Sequence, residues 1–231
     1  KEGFAPSYVV NRGSIKVDNN GFVVLASPLV SNQGEIIAHG ADVVIAGTSS
    51  FSMSFDEQGL INFVIPRMDR KPGTVTIPKE EAFSLIEEVV NTEGIVEAAE
   101  IIEEDGLIKL VGTSGLSINS GVVNVEGAPS VDAGSILVDS NQTTVLAEDT
   151  HLSASGGKSS SGGEIKIFSG GNTFVFPDVL LEAKGGDFAG DGGFIEVSGD
   201  KKVILESGEF YLSAPNGIAG RLLIDPDELI V

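Results

Sequence analysis

The chain contains no cysteine and no tryptophan. Without cysteine there are no disulfides, no thiolate metal sites and no cysteine nucleophile. A chain that lacks disulfide loops can thread a pore unfolded, and a lack of cysteine equally suits the cytosol, so this decides little. Basic residues are scarce, with 14 Lys and Arg against 34 Asp and Glu, and the formal charge is −20. Such a surface repels phosphate backbones and anionic lipids, which argues against a nucleic-acid partner and leaves the charge as a solubilising exterior. No apolar run approaches the roughly 20 residues that span a bilayer, and no signal peptide is recognisable. Because it opens on Lys1 and closes on a strand-like LIV, the sequence is expected to be a segment of a longer protein whose export signals lie outside it.

What is present is repetition. Between Ala133 and Pro226 one pattern is written three times and begun a fourth, opening AGSILVDS at 133, GGEIKIFS at 162, GGFIEVSG at 192 and AGRLLIDP at 219. In each opening two apolar residues fall two apart: Ile136 and Val138, Ile165 and Ile167, Ile195 and Val197, Leu222 and Ile224. Period two marks a strand with one buried face. A second strand follows with Val145 and Ala147, Phe174 and Phe176, then Val203 and Leu205, and a third with Leu152, Leu181 and Leu212 before a glycine turn. Three short strands and three turns in about 29 residues describe one coil of a solenoid, whose inward side chains are buried only when the next coil stacks on it. The fold expected is all-β, a parallel β-helix, with those eight residues as its core stack. Outward, Lys166 and Glu196 hold the same offset in adjacent coils and are expected to pair.

The N-terminal part repeats with a shorter period. NRGSIKV at Asn11 and NQGEIIA at Asn32 are each followed by an apolar strand, GFVVLA and ADVVIA. Asparagine before glycine supplies the turn, since both tolerate positive φ. The period breaks at Phe51, where FSMSFDEQGLINFVI reads as a hairpin through Ile65. The connector Pro66–Gly73 carries Arg67, Arg70 and Lys71 and is a candidate contact loop. Pro78–Val90 reads as a helix, opened by proline, with Glu80 and Glu81 in its first turn and Phe83, Ile86 and Val90 at helical spacing. Its apolar face is expected to cover the side of the solenoid. The whole chain is thus one β-helix domain over 1–231, with an extra-helical hairpin, connector and helix over 51–90. Regular coils are expected over 91–231, with DGLIKLVG at Asp105 among the restarting coil segments.

Chemistry is thinly represented. His39 and His151 lie at turns or strand ends in different repeats, without a serine placed beside them as a nucleophile. Asp187 and Asp191 in GGDFAGDGG form one imperfect copy of a glycine/aspartate cation-binding spacing and read as turn residues. A β-helical lyase or hydrolase needs acids converging from adjacent coils. The outward columns Ser135, Glu164, Phe194, Arg221 and Leu137, Lys166, Glu196, Leu223 hold no such cluster. No catalytic, cofactor-binding or metal-binding residue is assigned, no cofactor is expected, and the chain is read as a non-enzyme. A carbohydrate-binding or carbohydrate-active β-helix is the alternative.

NRGSIKV…GFVVLASPLVSNQGEIIAHGADVVIAG, the FSMSFDEQGLINFVI hairpin, the EEAFSLIEEVVNTEGIVEA passage, the Gly-Gly repeats and the closing RLLIDPDELIV together resemble the filamentous haemagglutinin family. These are large exoproteins of Gram-negative two-partner secretion. The resemblance covers nearly the whole chain, and the order of hairpin, helix and LLIDP ending is its most specific part. It implies a right-handed β-helix, passage through an outer-membrane transporter, and a secreted, cell-surface product in adhesion, haemagglutination, biofilm formation or contact-dependent toxin delivery. A host-cell or bacterial-surface receptor or glycan is the implied partner. The family's secretion domain carries an asparagine-proline motif that is absent here, so this chain is expected to follow that domain, and the transporter to be engaged by a region outside it.

Overall fold

A computed structural model describes residues 8–18, 21–55, 61–65, 74–78, 100–104, 107–111 and 115–231. The described residues are all-β, mostly in parallel strands, and contain no α-helix.

Three columns of strands stack layer upon layer. The first joins β1 (Tyr8–Asn11), β4 (Leu29–Asn32), β12 (Leu116–Asn119), β15 (Thr143–Leu146) and β18 (Asn172–Val175). A second joins β2 (Ser14–Lys16), β5 (Glu35–Ile37), β13 (Val122–Asn124), β16 (His151–Ser153), β19 (Leu180–Glu182) and β21 (Glu209–Tyr211). The third joins β3 (Phe22–Ser27), β6 (Asp42–Gly47), β14 (Ser135–Ser140) and β17 (Glu164–Ile167). Two long strands, β20 (Phe194–Leu205) and β22 (Arg221–Ile230), serve the third column with their first halves and the first column with their second, irregular between Gly199 and Lys202. Every pairing in these columns is parallel, and inward residues of all three meet in one core that includes Val30, Val123 and Ile165. This arrangement fits a parallel β-helix.

Register places Val23, Val43, Ile136, Ile165, Ile195 and Leu222 in one line, and Leu25, Ile45, Val138, Ile167, Val197 and Ile224 in the next. Ile136, Val138, Ile165, Ile167, Ile195 and Val197 are fully buried. Leu222 is not. It lies in the line but is 42% exposed, because β22 pairs only with β20, and Ile224 beside it is half-buried.

The stacking explains the glycines. A Cβ on Gly163 would overlap the carbonyl oxygen of Gly134, one on Gly193 that of Gly163, and one on Gly34 that of Gly13. At these corners the backbones of successive layers meet closely enough that only glycine fits. This corrects the expected turn chemistry. Among the described residues positive φ occurs at Gly40, Gly190, Asp149 and Asp178, not in the Asn-x-Gly corners. There the asparagines end strands and form an interior ladder instead. Asn11 Nδ2 donates to Asn32 Oδ1 at 2.8 Å, and Asn32 Nδ2 donates to Asn119 Oδ1 at 2.8 Å. Asn119 Nδ2 closes the ladder on the carbonyl of Gly121 at 3.1 Å.

Two registers differ from the sequence reading. Phe174 pairs with Ile204 rather than Val203, a one-residue slip that reverses faces. Val203 therefore joins the interior, while Val145, Ala147, Phe174 and Phe176 form a separate, buried outer cluster with Leu29, Leu116 and Ile118. In the second column Leu181 pairs with Phe210, so Leu212 stands two residues further along on the same inward side.

Leu116 stacks on Leu29 and Gly115 abuts Gly47, so the layers that break off after Thr48 resume in register at Gly115. Between these two points β7 (Ser52–Phe55) and β8 (Ile61–Val64) make the expected antiparallel hairpin. Phe63 and Ile65 pack on Val24, Val44, Ala46 and Leu137, the outer side of the third column, and Phe51 stacks on Phe63 with ring centroids 5.0 Å apart. DGLIKLVG does not restart the coils. Its Leu107–Val111 (β11) lies between β9 (Thr74–Pro78) and β10 (Glu100–Glu104) in an antiparallel sheet, pairing that sets it apart from the parallel layers. The expected helix from Pro78 to Val90 lies outside the described residues, except that Pro78 ends β9. Arg67, Arg70 and Lys71 lie wholly outside them.

Candidate functional site

The two repeat lengths differ at one place. Between the second and third columns the early layer needs only residues 38–41, whereas the next needs 125–134. The later layers therefore carry a longer loop at this edge, and the loops are stitched together. Ser159 N donates to Pro129 O at 3.1 Å, Phe188 N to Lys158 O at 2.9 Å, and Asn216 Nδ2 to Asp187 O at 2.7 Å. The proposed turn aspartate acts as a staple: Asp191 Oδ1 accepts from Ile218 N at 2.8 Å. Among the described residues no three histidine, aspartate or glutamate side chains converge as metal ligands.

Where the second column runs into these loops lies an open groove of about 320 Å³, lined by Glu126, Ser155, Lys158, Lys184, Asp187 and Ser213 over a floor of paired glycines. Each layer contributes one residue to the outward line Glu126, Ser155, Lys184 and Ser213. Its backbone links are Gly127 N to Ser155 O at 2.9 Å, Gly156 N to Lys184 O at 2.7 Å and Gly185 N to Ser213 O at 2.9 Å. The floor is glycine by necessity, since a Cβ on Gly186 would overlap the Gly157 carbonyl and one on Gly157 the Ala128 carbonyl.

Beside the groove is a charge relay across layers. His151 Nε2 lies 2.8 Å from Glu182 Oε2, and Lys184 Nζ lies 2.6 Å from Glu182 Oε1. Burial works to raise the Glu182 carboxyl, but hydrogen bonds from Lys184 and His151 and their nearby charges outweigh it, leaving the carboxyl below its ordinary range. Held ionised in this way, Glu182 is poorly suited to donate a proton as a general acid. Glu126 Oε1 accepts from Ser153 Oγ at 2.8 Å. Tyr211 stands next to Glu182 in the register, and its hydroxyl donates to Glu209 Oε2 at 2.9 Å, which raises its pKa. Sequence reading missed this site because its members come from layers about 29 residues apart and only the loop stack brings them together.

The other residues singled out from the sequence are dispersed. His39 Nδ1 lies 3.3 Å from the Glu126 carbonyl, so the two histidines serve separate contacts. Lys166 stands opposite Glu196 in register, yet its ammonium turns to Glu164 on its own strand at 2.5 Å. Arg221 lies over the Phe194 ring, 5.9 Å from its centroid. Among the described residues no helix is long and apolar enough to cross a membrane. No family model, curated protein or solved structure matches the chain.

Proposed function

We propose that the chain is a structural and adhesive, non-catalytic segment of a secreted bacterial cell-surface exoprotein of the filamentous haemagglutinin type. In this reading it winds as a right-handed parallel β-helix with the hairpin, and a helix after Pro78 as far as Val90, on its flank. It reaches the surface through an outer-membrane two-partner transporter engaged by a region outside the sequence given. The supporting observation is the unbroken line from Val23 through Ile165 to Leu222, which makes a stack rigid along its axis. Right-handed winding is supported by the near-universal hand of parallel crossovers. The absence of cysteine suits translocation as an unfolded chain. The test is to place the chain behind a two-partner secretion domain in a Gram-negative host and supply or withhold the matching transporter. Labelling of intact cells by antibody, and their attachment to a cell monolayer, should both require the transporter. Retention in the periplasm with the transporter present, or surface display that adds no attachment, overturns the proposal.

A further inference from the structure

We propose that the groove over the glycine floor binds a neutral, linear polysaccharide lying parallel to the stacking axis. The inference deepens the adhesive reading and rests on it for its biological setting, while its chemistry stands on the groove alone. Glu126, Ser155, Lys184 and Ser213 come from four successive layers, so they recur at the strand spacing of about 4.8 Å. That is close to the length of one pyranose unit in an extended chain. A polysaccharide along the axis would meet Glu126, Lys184 and Ser213 and pass over Ser155, which is only 5% exposed, whereas a small metabolite would use only one or two layers.

The side chains suit hydroxyl groups, which both donate and accept. Glu126 accepts, Ser213 does either, and Lys158 and Lys184 donate, while the buried Ser155 hydroxyl accepts from Lys184 N at 3.3 Å and braces the groove wall. The groove is too open and polar to bury an apolar ligand. Lys158 and Asp187 are exposed, and their side chains have no hydrogen-bond or ion-pair partner among the described residues. Two exposed aromatics adjoin these residues in chain or register. Phe188, 70% exposed, follows Asp187 and is bonded through its N–H to Lys158, and Tyr211, 46% exposed, neighbours Glu182. The apolar C–H face of a sugar ring stacks on such rings. The layer-to-layer hydrogen bonds of the loops fix the backbone that carries these groups before a ligand arrives, which lowers the ordering cost of binding.

Charge selects a neutral glycan over a polyanion. Lys184 is already paired with Glu182, Lys158 is offset by Asp187 and Glu126 within the same groove, and a net charge of −20 repels sulfated or uronic-acid chains.

The experiment is calorimetric titration of the full chain with glucose and N-acetylglucosamine hexasaccharides, their disaccharides, and a sulfated uronate hexasaccharide. At least one neutral hexasaccharide should bind in roughly the millimolar-to-micromolar range. It should bind at least about tenfold more tightly than its disaccharide, because only the longer chain spans several layers. Added salt should leave this affinity unchanged. Phe188→Ala and Lys158→Ala should each weaken binding by about fivefold or more, with the thermal melt of the protein unaltered. No binding by either neutral hexasaccharide overturns the proposal, as does tighter, salt-sensitive binding of the sulfated chain or indifference to both substitutions. Any of these results leaves the transporter-dependent display test standing, and failure of display leaves the titration standing.

Discussion

The interior asparagines occupy positions that an apolar core would fill with leucine, and in the layer after Asn119 it does. Below Asn119 the same line continues as Leu146, Val175 and Leu205. Asn32 is the middle rung, fully buried and bonded on both sides. Asn32→Ala should cost about 1–3 kcal/mol in chemical denaturation, because it leaves the Asn119 Oδ1 acceptor buried without its donor. A cost near zero would show that the ladder adds nothing to stability. Glu182 gives a pH prediction. Its folded-state pKa lies below the ordinary value of 4.5, so the stability it contributes is complete above about pH 4.5 and is lost as pH falls through the lowered pKa. Glu182→Gln should flatten this acid limb, as followed by thermal melts between pH 6 and pH 3. At this scale the sequence was half legible. The glycines were visible, but their cause was not, because close approach between layers leaves no local signature distinct from that of a turn requiring positive φ.

Among elements, strands with one polar face were the legible ones. β17 alternates cleanly as EIKI, and the line from Ile136 through Ile165 to Ile195 follows when that alternation is carried to the equivalent offsets of its neighbours. β15 and β18 do not, since TTVLA and NTFVF are apolar on both faces. Alternation then cannot decide the register, and a one-residue slip exchanges inside for outside. The outer cluster around Phe174 was hidden in this way. The hairpin was legible from its own pattern, but what it covers was not. Ile65 is 5% exposed against Val44 and Ala46, so Ile65→Ala should destabilise the chain by about 2 kcal/mol or more. Ile65→Ala should also loosen the hairpin first, with hydrogen exchange rising in β7 and β8 before it rises in β14. Equal acceleration in both would mean that the hairpin is integral to the stack rather than laid upon it.

For the whole molecule, the decisive quantity is how far one layer depends on the next. Ile165 is enclosed by Ile136 on one side and Ile195 on the other, whereas Leu222 has a neighbour on one side only. Ile165→Ala should cost about 2–5 kcal/mol, and Leu222→Ala no more than about 1 kcal/mol, both measured by denaturant titration. Similar costs would contradict a core built by stacking. The groove belongs to this scale too. It was illegible because Glu126, Ser155, Lys184 and Ser213 become neighbours only once the layers are in place.

The glycine corners carry a further consequence. Gly134 and Gly163 occupy equivalent corners, so residues 134–162 amount to a module whose upper and lower surfaces mate with copies of themselves. An in-frame duplication of that module should lengthen the particle by about 4.8 Å and leave its girth unchanged in small-angle scattering. A gene for such a protein is then a ruler, in which reach is set by counting modules and can be adjusted by recombination between them without redesigning any one.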